Sequence, residues 1–147
     1  MKAATLKDGF GITVTLTGHD FSLLLDPSSI TPPGIDGGDA IDTTTHSNSA
    51  VRTKHPRSLK EITDAAMTVV YDPDAWDDIV SAVNDNVAIT FAFPGAAFGS
   101  VVVYGYLKSF IPNEYVEGEQ ATAECVLVIT NENGSGVETA PVHTTAP

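Results

Sequence analysis

Several stretches of this chain alternate apolar and polar residues with a period of two, and that pattern dictates strands. Val87, Ile89, Phe91 and Phe93 alternate with Ala88, Thr90 and Ala92. Val101 to Ile111 repeats the pattern, and Glu119 to Thr130 does so with Ala121, Ala123, Cys125, Leu127 and Ile129 on one face. Several of these runs reach about 11–13 residues, or roughly 36–43 Å at about 3.3 Å each. Common strands hold about 5–6 residues. Strands this long suit a curved or barrel-like sheet, including one shared between subunits.

The remaining segments fit around them. Gly11 to Thr17 (GITVTLT) is a β-branched alternating strand, Gly18-His19-Asp20 is a turn, and Phe21 to Asp26 completes a hairpin. From Pro27 to Ser58 the composition turns to Ser, Thr, Pro, Gly and Asp, which reads as a long polar loop with a short strand within Asp39–Thr45. Such a loop is unusual in a small domain unless it functions or orders on binding, and about residues 46–58 are expected to be disordered in the free chain. Leu59 to Asp72 is a strand ending in Thr-Val-Val-Tyr. Asp72 then serves as a helix N-cap, Pro73 sits at the first helical position, and Asp74, Asp77 and Asp78 complement the positive helix end. A helix is expected over 73–84, with Trp76, Ile79, Val80 and Val83 as one buried stripe. The fold class is therefore mainly β: an antiparallel β-sandwich or open barrel with one short helix. One domain is expected over 1–131, with its long loop at about 27–58 and a flexible tail at 132–147.

Charge restricts the partners. The 147 residues carry 19 acids and 7 bases, a net charge of −12. That balance disfavours wrapping nucleic acid by phosphate neutralisation. Arg52, Lys54, Arg57 and Lys60 nevertheless gather four of the seven bases, and no acid occurs from Thr43 to Lys60. A basic loop on an acidic body suits either self-association or solvation. No apolar run approaches the roughly 20 residues of a membrane span, and Met1 to Gly11 has no apolar core of a signal peptide. The single cysteine, Cys125, lies inside an alternating strand and reads as a small core residue.

The polar residues form no strong catalytic or metal-binding pattern. His19-Asp20 has no accompanying nucleophile motif, and His46 and His55 share the loop without a carboxylate between them. Asp36, Asp39 and Asp42 stand three apart, whereas a calcium loop of the EF-hand type has ligands two apart and a closing glutamate. Gly34 and Gly37-Gly38 lack the strand-to-helix setting of a phosphate loop. The expectation is a protein that is not an enzyme, with no cofactor and no metal.

The segment Gly37 to His46 (GGDAIDTTTH) resembles the tail tube (major tail) proteins of long-tailed bacteriophages, whose pattern here is an "ID-T-T" strand, a polar loop, a Pro and a Leu. Arg52, Pro56 and Leu59 stand in matching positions. The resemblance continues through MTVVYDP (Met67–Pro73), the helix, Phe91-Ala92-Phe93-Pro94-Gly95, Gly105 to Phe110 and the final strand, roughly residues 10–131. It implies a tube fold shared with contractile tails and type VI secretion, and rings, usually of six, that stack on a tape measure protein. It also implies partners at the two tail ends (a tail terminator and distal tail proteins), a place in the virion after assembly in the host cytoplasm, and a lumen that DNA traverses during genome ejection without specific binding. The assembly residues expected in the loop are His46, Arg52, Lys54, Arg57 and Lys60. Their acidic counterparts are Asp74, Asp77 and Asp78 at the helix start, or Glu114, Glu117 and Glu119 in a turn. Alternatives are another tail component, such as a terminator or baseplate protein, or a carbohydrate-binding β-sandwich, which would need clustered exposed aromatics.

Overall fold

The computed structural model describes residues 11–93 and 98–144. Residues 1–10, the Pro94-Gly95 turn and the last three residues lie outside them. In chain order the strands are β1 (Thr13–Thr17), β2 (Ser22–Leu25), β3 (Pro27–Thr31), β4 (Ile35–Asp36), β5 (Ile41–Asp42), β6 (Lys54–His55), β7 (Glu61–Ile62), β8 (Ala65–Val70), β9 (Val87–Ala92), β10 (Ser100–Pro112), β11 (Thr122–Ile129) and β12 (Val142–Thr144). A 3₁₀ turn at Pro73–Ala75 leads into helix α1 (Trp76–Ala82).

One antiparallel sheet runs in the order β2-β1-β9-β10-β11-β8-β3, and β12 adds to β10. Its two end strands, β2 and β3, are separated in the chain by Asp26 alone. The sheet must therefore curl until its edges meet at one corner. There the chain stops pairing with β1 and starts pairing with β8, aided by a register shift between Pro27 and Ser29. Its backbone stays bonded through the corner, with Val70 N donating to the Asp26 carbonyl at 3.1 Å.

The opposite corner is β10. Its first half pairs with β9, its second half with β11, and Gly105 is paired to both, opposite Val87 and Ile129. A bulge between Leu107 and Ser109 bends the strand. Corners made by strands that change sheets through bulges are how a curled sheet packs on itself. The bulge also inverts the alternation. Leu107 points inward against Leu127, while beyond the bulge Phe110 points inward against Cys125 and Ile111 is exposed. Phe110 then meets Tyr71 edge to face at 5.5 Å.

Period-two alternation sends one face of β1, β2, β8, β9, β10 and β11 into a single core. Leu25, Val14, Phe91 and Val101 form one cross-strand row, and Leu23, Leu16, Ile89 and Val103 form the next. Across the fold, Leu107, Leu127 and Ala65 align, as do Phe110, Cys125, Met67 and Ile30. Val14, Leu16, Val69, Ile89, Phe91, Leu107 and Leu127 are fully buried. Each such side chain contributes about 1.5–3 kcal/mol relative to exposure.

The helix begins as the sequence dictates: the Asp72 carboxylate accepts from Asp74 N at 3.0 Å, with Pro73 in the first turn. Its end is set by Asn84 at φ 63°, a left-handed conformation that asparagine tolerates. Its buried face differs from expectation. Ile79 and Ala82 are buried and Ala75 and Val83 pack on the core, but Trp76 is 52 % and Val80 57 % exposed. At about 100° per residue, the observed face lies about 60° around the helix from the expected stripe. The small Ala75 and Ala82 allow α1 to approach the sheet closely, where it lies against β2 and β10.

Two expected loose segments are structured. Residues 27–31 form the edge strand β3 rather than loop, because Ser and Thr suit a half-exposed strand edge. The tail closes a turn on Asn133, whose side-chain oxygen accepts from Ser135 N and Val137 N, and returns as β12 along Ser100–Val102. Every β12 side chain is exposed. Pairing there needs only the backbone, so no apolar periodicity betrays it.

Candidate assembly surfaces

The basic loop is a β-arm. Gly34 N donates to Thr63 Oγ1 at 2.7 Å and Thr63 N to the Gly34 carbonyl, which closes the base. Above it β4 pairs with β7 and β5 with β6. The tip is closed by one backbone bond, Thr43 N to the Thr53 carbonyl, and laced by side chains: Thr53 N to Thr44 Oγ1, Thr45 N to Asn48 Oδ1, and Asn48 Nδ2 to the Val51 carbonyl. The disorder expected across 46–58 is replaced by this hydrogen-bonded hairpin. Local Asx and Thr bonds satisfy the backbone where no apolar pattern exists.

The arm has no core of its own. No residue from Thr31 to Asp64 is buried. Ile35, Val51 and Leu59 are 72 %, 74 % and 81 % exposed. Of the expected interface residues, Arg52 pairs with Asp42 of its own chain at 3.2 Å, and Arg57 Nε donates to the Asp39 carbonyl at 2.8 Å. The Asp42 carboxyl is held below its ordinary 3.8 chiefly by hydrogen bonds from Thr44, with Arg52 adding to them. His46, Lys54 and Lys60 are exposed along the same arm.

Both acidic groups are exposed as well. Asp74, Asp77 and Asp78 lie at the start of α1, and Glu114, Glu117 and Glu119 in the β10–β11 turn. Among the described residues, no ion pair joins either group to the arm. What the sequence reading missed is the apolar surface beside each: Trp76 and Val80 on α1, and Tyr115 and Val116 in the turn. The signal for the helix was present in the competing stripe of Ala75, Ile79, Ala82 and Val83, spaced i, i+4, i+7 and i+8.

At the base of the arm, a groove of about 430 Å³ is lined by Ile35, Leu59, Ile62, Asn131 and Pro141, among others. Asn131 stands at φ 57°, and its buried side-chain oxygen has no hydrogen-bond partner.

His19 Nε2 lies 3.8 Å from Asp20 Oδ1, and both side chains are almost fully exposed. The carboxylates of Asp36 and Asp42 cap backbone N–H groups of Gly38 and Thr44. Among the described residues, no three His, Cys, Asp or Glu side chains gather into a metal-binding group, and no helix is long and apolar enough to cross a membrane.

No protein-family model matches the sequence, and no curated protein does so either. Solved structures do share the fold. A chain of the anti-feeding prophage baseplate, 6-fold symmetrised, aligns with TM-score 0.65 at 6 % identity, covering 88 % of this chain and 94 % of that one. A chain from the virion of a native gene transfer agent particle gives 0.64 at 12 % identity, over 95 % of this chain and all of the other. A chain from the tail of the empty gene transfer agent particle, refined with C6 symmetry, gives 0.61 at 11 % identity with the same coverage. The class is thereby a mainly antiparallel β fold with one short helix, as found in components of tail-bearing particles. At such identities the likeness is one of fold.

Proposed function

We propose that this chain is a structural subunit of a phage-like tail, a tube protein that polymerises as stacked rings. The observation that carries the reading is the alignment, across all of the other chain, with a subunit of a C6-symmetric tail. The coreless basic arm supports it, since an arm that buries nothing in its own subunit is suited to bury surface in a neighbour. In this reading residues 1–131, with β12 added to their sheet, are the tube domain and the subunit is not an enzyme. Rings of six stack on a tape measure protein, bounded by a terminator and distal tail proteins. The acidic balance keeps passing DNA off the wall during ejection, because DNA carries about one charge per 1.7 Å.

A second reading, a baseplate ring component, is favoured by the baseplate alignment at TM-score 0.65. Electron microscopy of the purified protein at high concentration separates them. Open-ended tubes are expected. Single rings that never stack support the baseplate reading, and monodisperse subunits at every concentration refute both.

A further inference from the structure

We propose that the flank of α1 formed by Trp76 and Val80 is the docking face for the basic arm of a second copy of this chain. The proposal rests on the ring-stacking reading and names the surface that receives the arm.

Trp76 is the chain's one tryptophan, and it lies one helical turn from Val80 with both side chains more than half exposed. An indole left in water beside a valine is what an unfilled interface anchor looks like, since tryptophan is enriched among the residues that dominate binding. The platform is anchored, because Ile79 and Ala82 on the adjoining face of the same helix are buried in the core. Asp77 lies about 60° around the helix from Val80, and Asp74 and Asp78 stand farther round the same first turns, all three exposed and none in an ion pair with its own chain among the described residues. No lysine or arginine occurs between Lys60 and Lys108, so the sequence near α1 offers no cation to answer them.

The arm presents the complement. It has no acid from Thr43 to Lys60, and its exposed Val51 and Leu59 lie within the same stretch as Lys54 and Lys60. Arg52 and Arg57 are engaged within the arm, which leaves the two lysines for a partner. An ammonium group beside an indole and a carboxylate gains both cation–π and ion-pair attraction, while valine and leucine cover the apolar flank. The rival receptor, Glu114, Glu117 and Glu119 with Tyr115, is a turn through Gly118 at φ 84° and lacks the rigid support of α1. Sites carried on helices hold geometry better than sites on loops.

The single tryptophan makes the test direct. On association of the wild-type chain, Trp76 emission should shift to the blue and its quenching by iodide should fall several-fold. Lys54→Glu with Lys60→Glu should abolish both changes at wild-type concentrations, and adding Asp77→Lys with Asp78→Lys in the same chain should restore them. Carbodiimide coupling of mixed isotope-labelled and unlabelled wild-type chains supplies a readout free of any folding defect: intermolecular links should join Lys54 or Lys60 to Asp74, Asp77 or Asp78. Links confined to Glu114, Glu117 or Glu119, or rescue by Glu117→Lys with Glu119→Lys instead, would overturn the proposal in favour of the turn. Tubes that form while Trp76 emission stays unchanged would overturn it and leave the tube reading intact. Concentration-dependent shielding of Trp76 with those links, but without tubes, would uphold the docking face and remove the tube reading.

Discussion

Gly105 is where the fold is most exposed to a single methyl group. It sits in the middle of β10, paired to Val87 on one side and Ile129 on the other. An added Cβ would fall well inside contact distance of the Val128 carbonyl oxygen and 3.1 Å from Ile129 Cα. Both neighbours are backbone, so neither can rotate away, and β10 must separate from β11 to admit the methyl. Overpacking of this kind costs about 1–3 kcal/mol. The same movement strains the bond from Thr130 N to the Tyr104 carbonyl, 2.9 Å long, and a typical hydrogen bond contributes about 0.5–1.5 kcal/mol. Alanine recovers about 0.5–1 kcal/mol through lower unfolded-state entropy. The net expectation for Gly105→Ala is a loss of about 2–3 kcal/mol, which lowers the melting temperature by roughly 6–12 °C for a chain of this size. Gly134→Ala is the control, since nothing lies within 4 Å of its added Cβ. Thermal and urea melts of the three proteins decide the matter. Gly105→Ala melting within about 1 °C of wild type would refute the account of β10 as a corner closed by backbone contact.

Two further expectations follow from burial. Phe91→Ala should cost about 3–5 kcal/mol, because the ring is fully buried; Trp76→Ala, half exposed, should cost the free subunit less than about 1 kcal/mol, and urea melts giving equal losses would contradict the assigned helix face. Burial pushes the Cys125 thiol up to about 12, so it should resist a thiol reagent at pH 8 in the folded chain and react promptly in denaturant. Labelling at equal rates in both states would place that side chain at the surface.

The strands of the body were legible because their side chains are sorted by burial. Val87 to Ala92 and Thr122 to Ile129 each send every second residue into the core, so the period appears directly in the residues. Asp72 and Pro73 marked the helix start for an equally local reason, because a cap is a bond between near neighbours in the chain. The elements that hid from the sequence are those that bury no side chain. β12 has only exposed side chains, and the arm from Thr31 to Asp64 is held by backbone pairing and local polar side-chain bonds, so no apolar period records most of the pairing.

Three features needed the tertiary structure. The curl that joins β2 to β3 depends on which strands become neighbours, and long-range pairing leaves no local trace. The inversion at Phe110 depends on a bulge set by the partner strand β11. The roll of α1 depends on how closely Ala75 and Ala82 let it approach the sheet. Trp76, Ile79, Val80 and Val83 make as good a stripe by periodicity as the one observed. A helix exposes what its neighbour leaves uncovered, and only the packed sheet decides that Trp76 is among it.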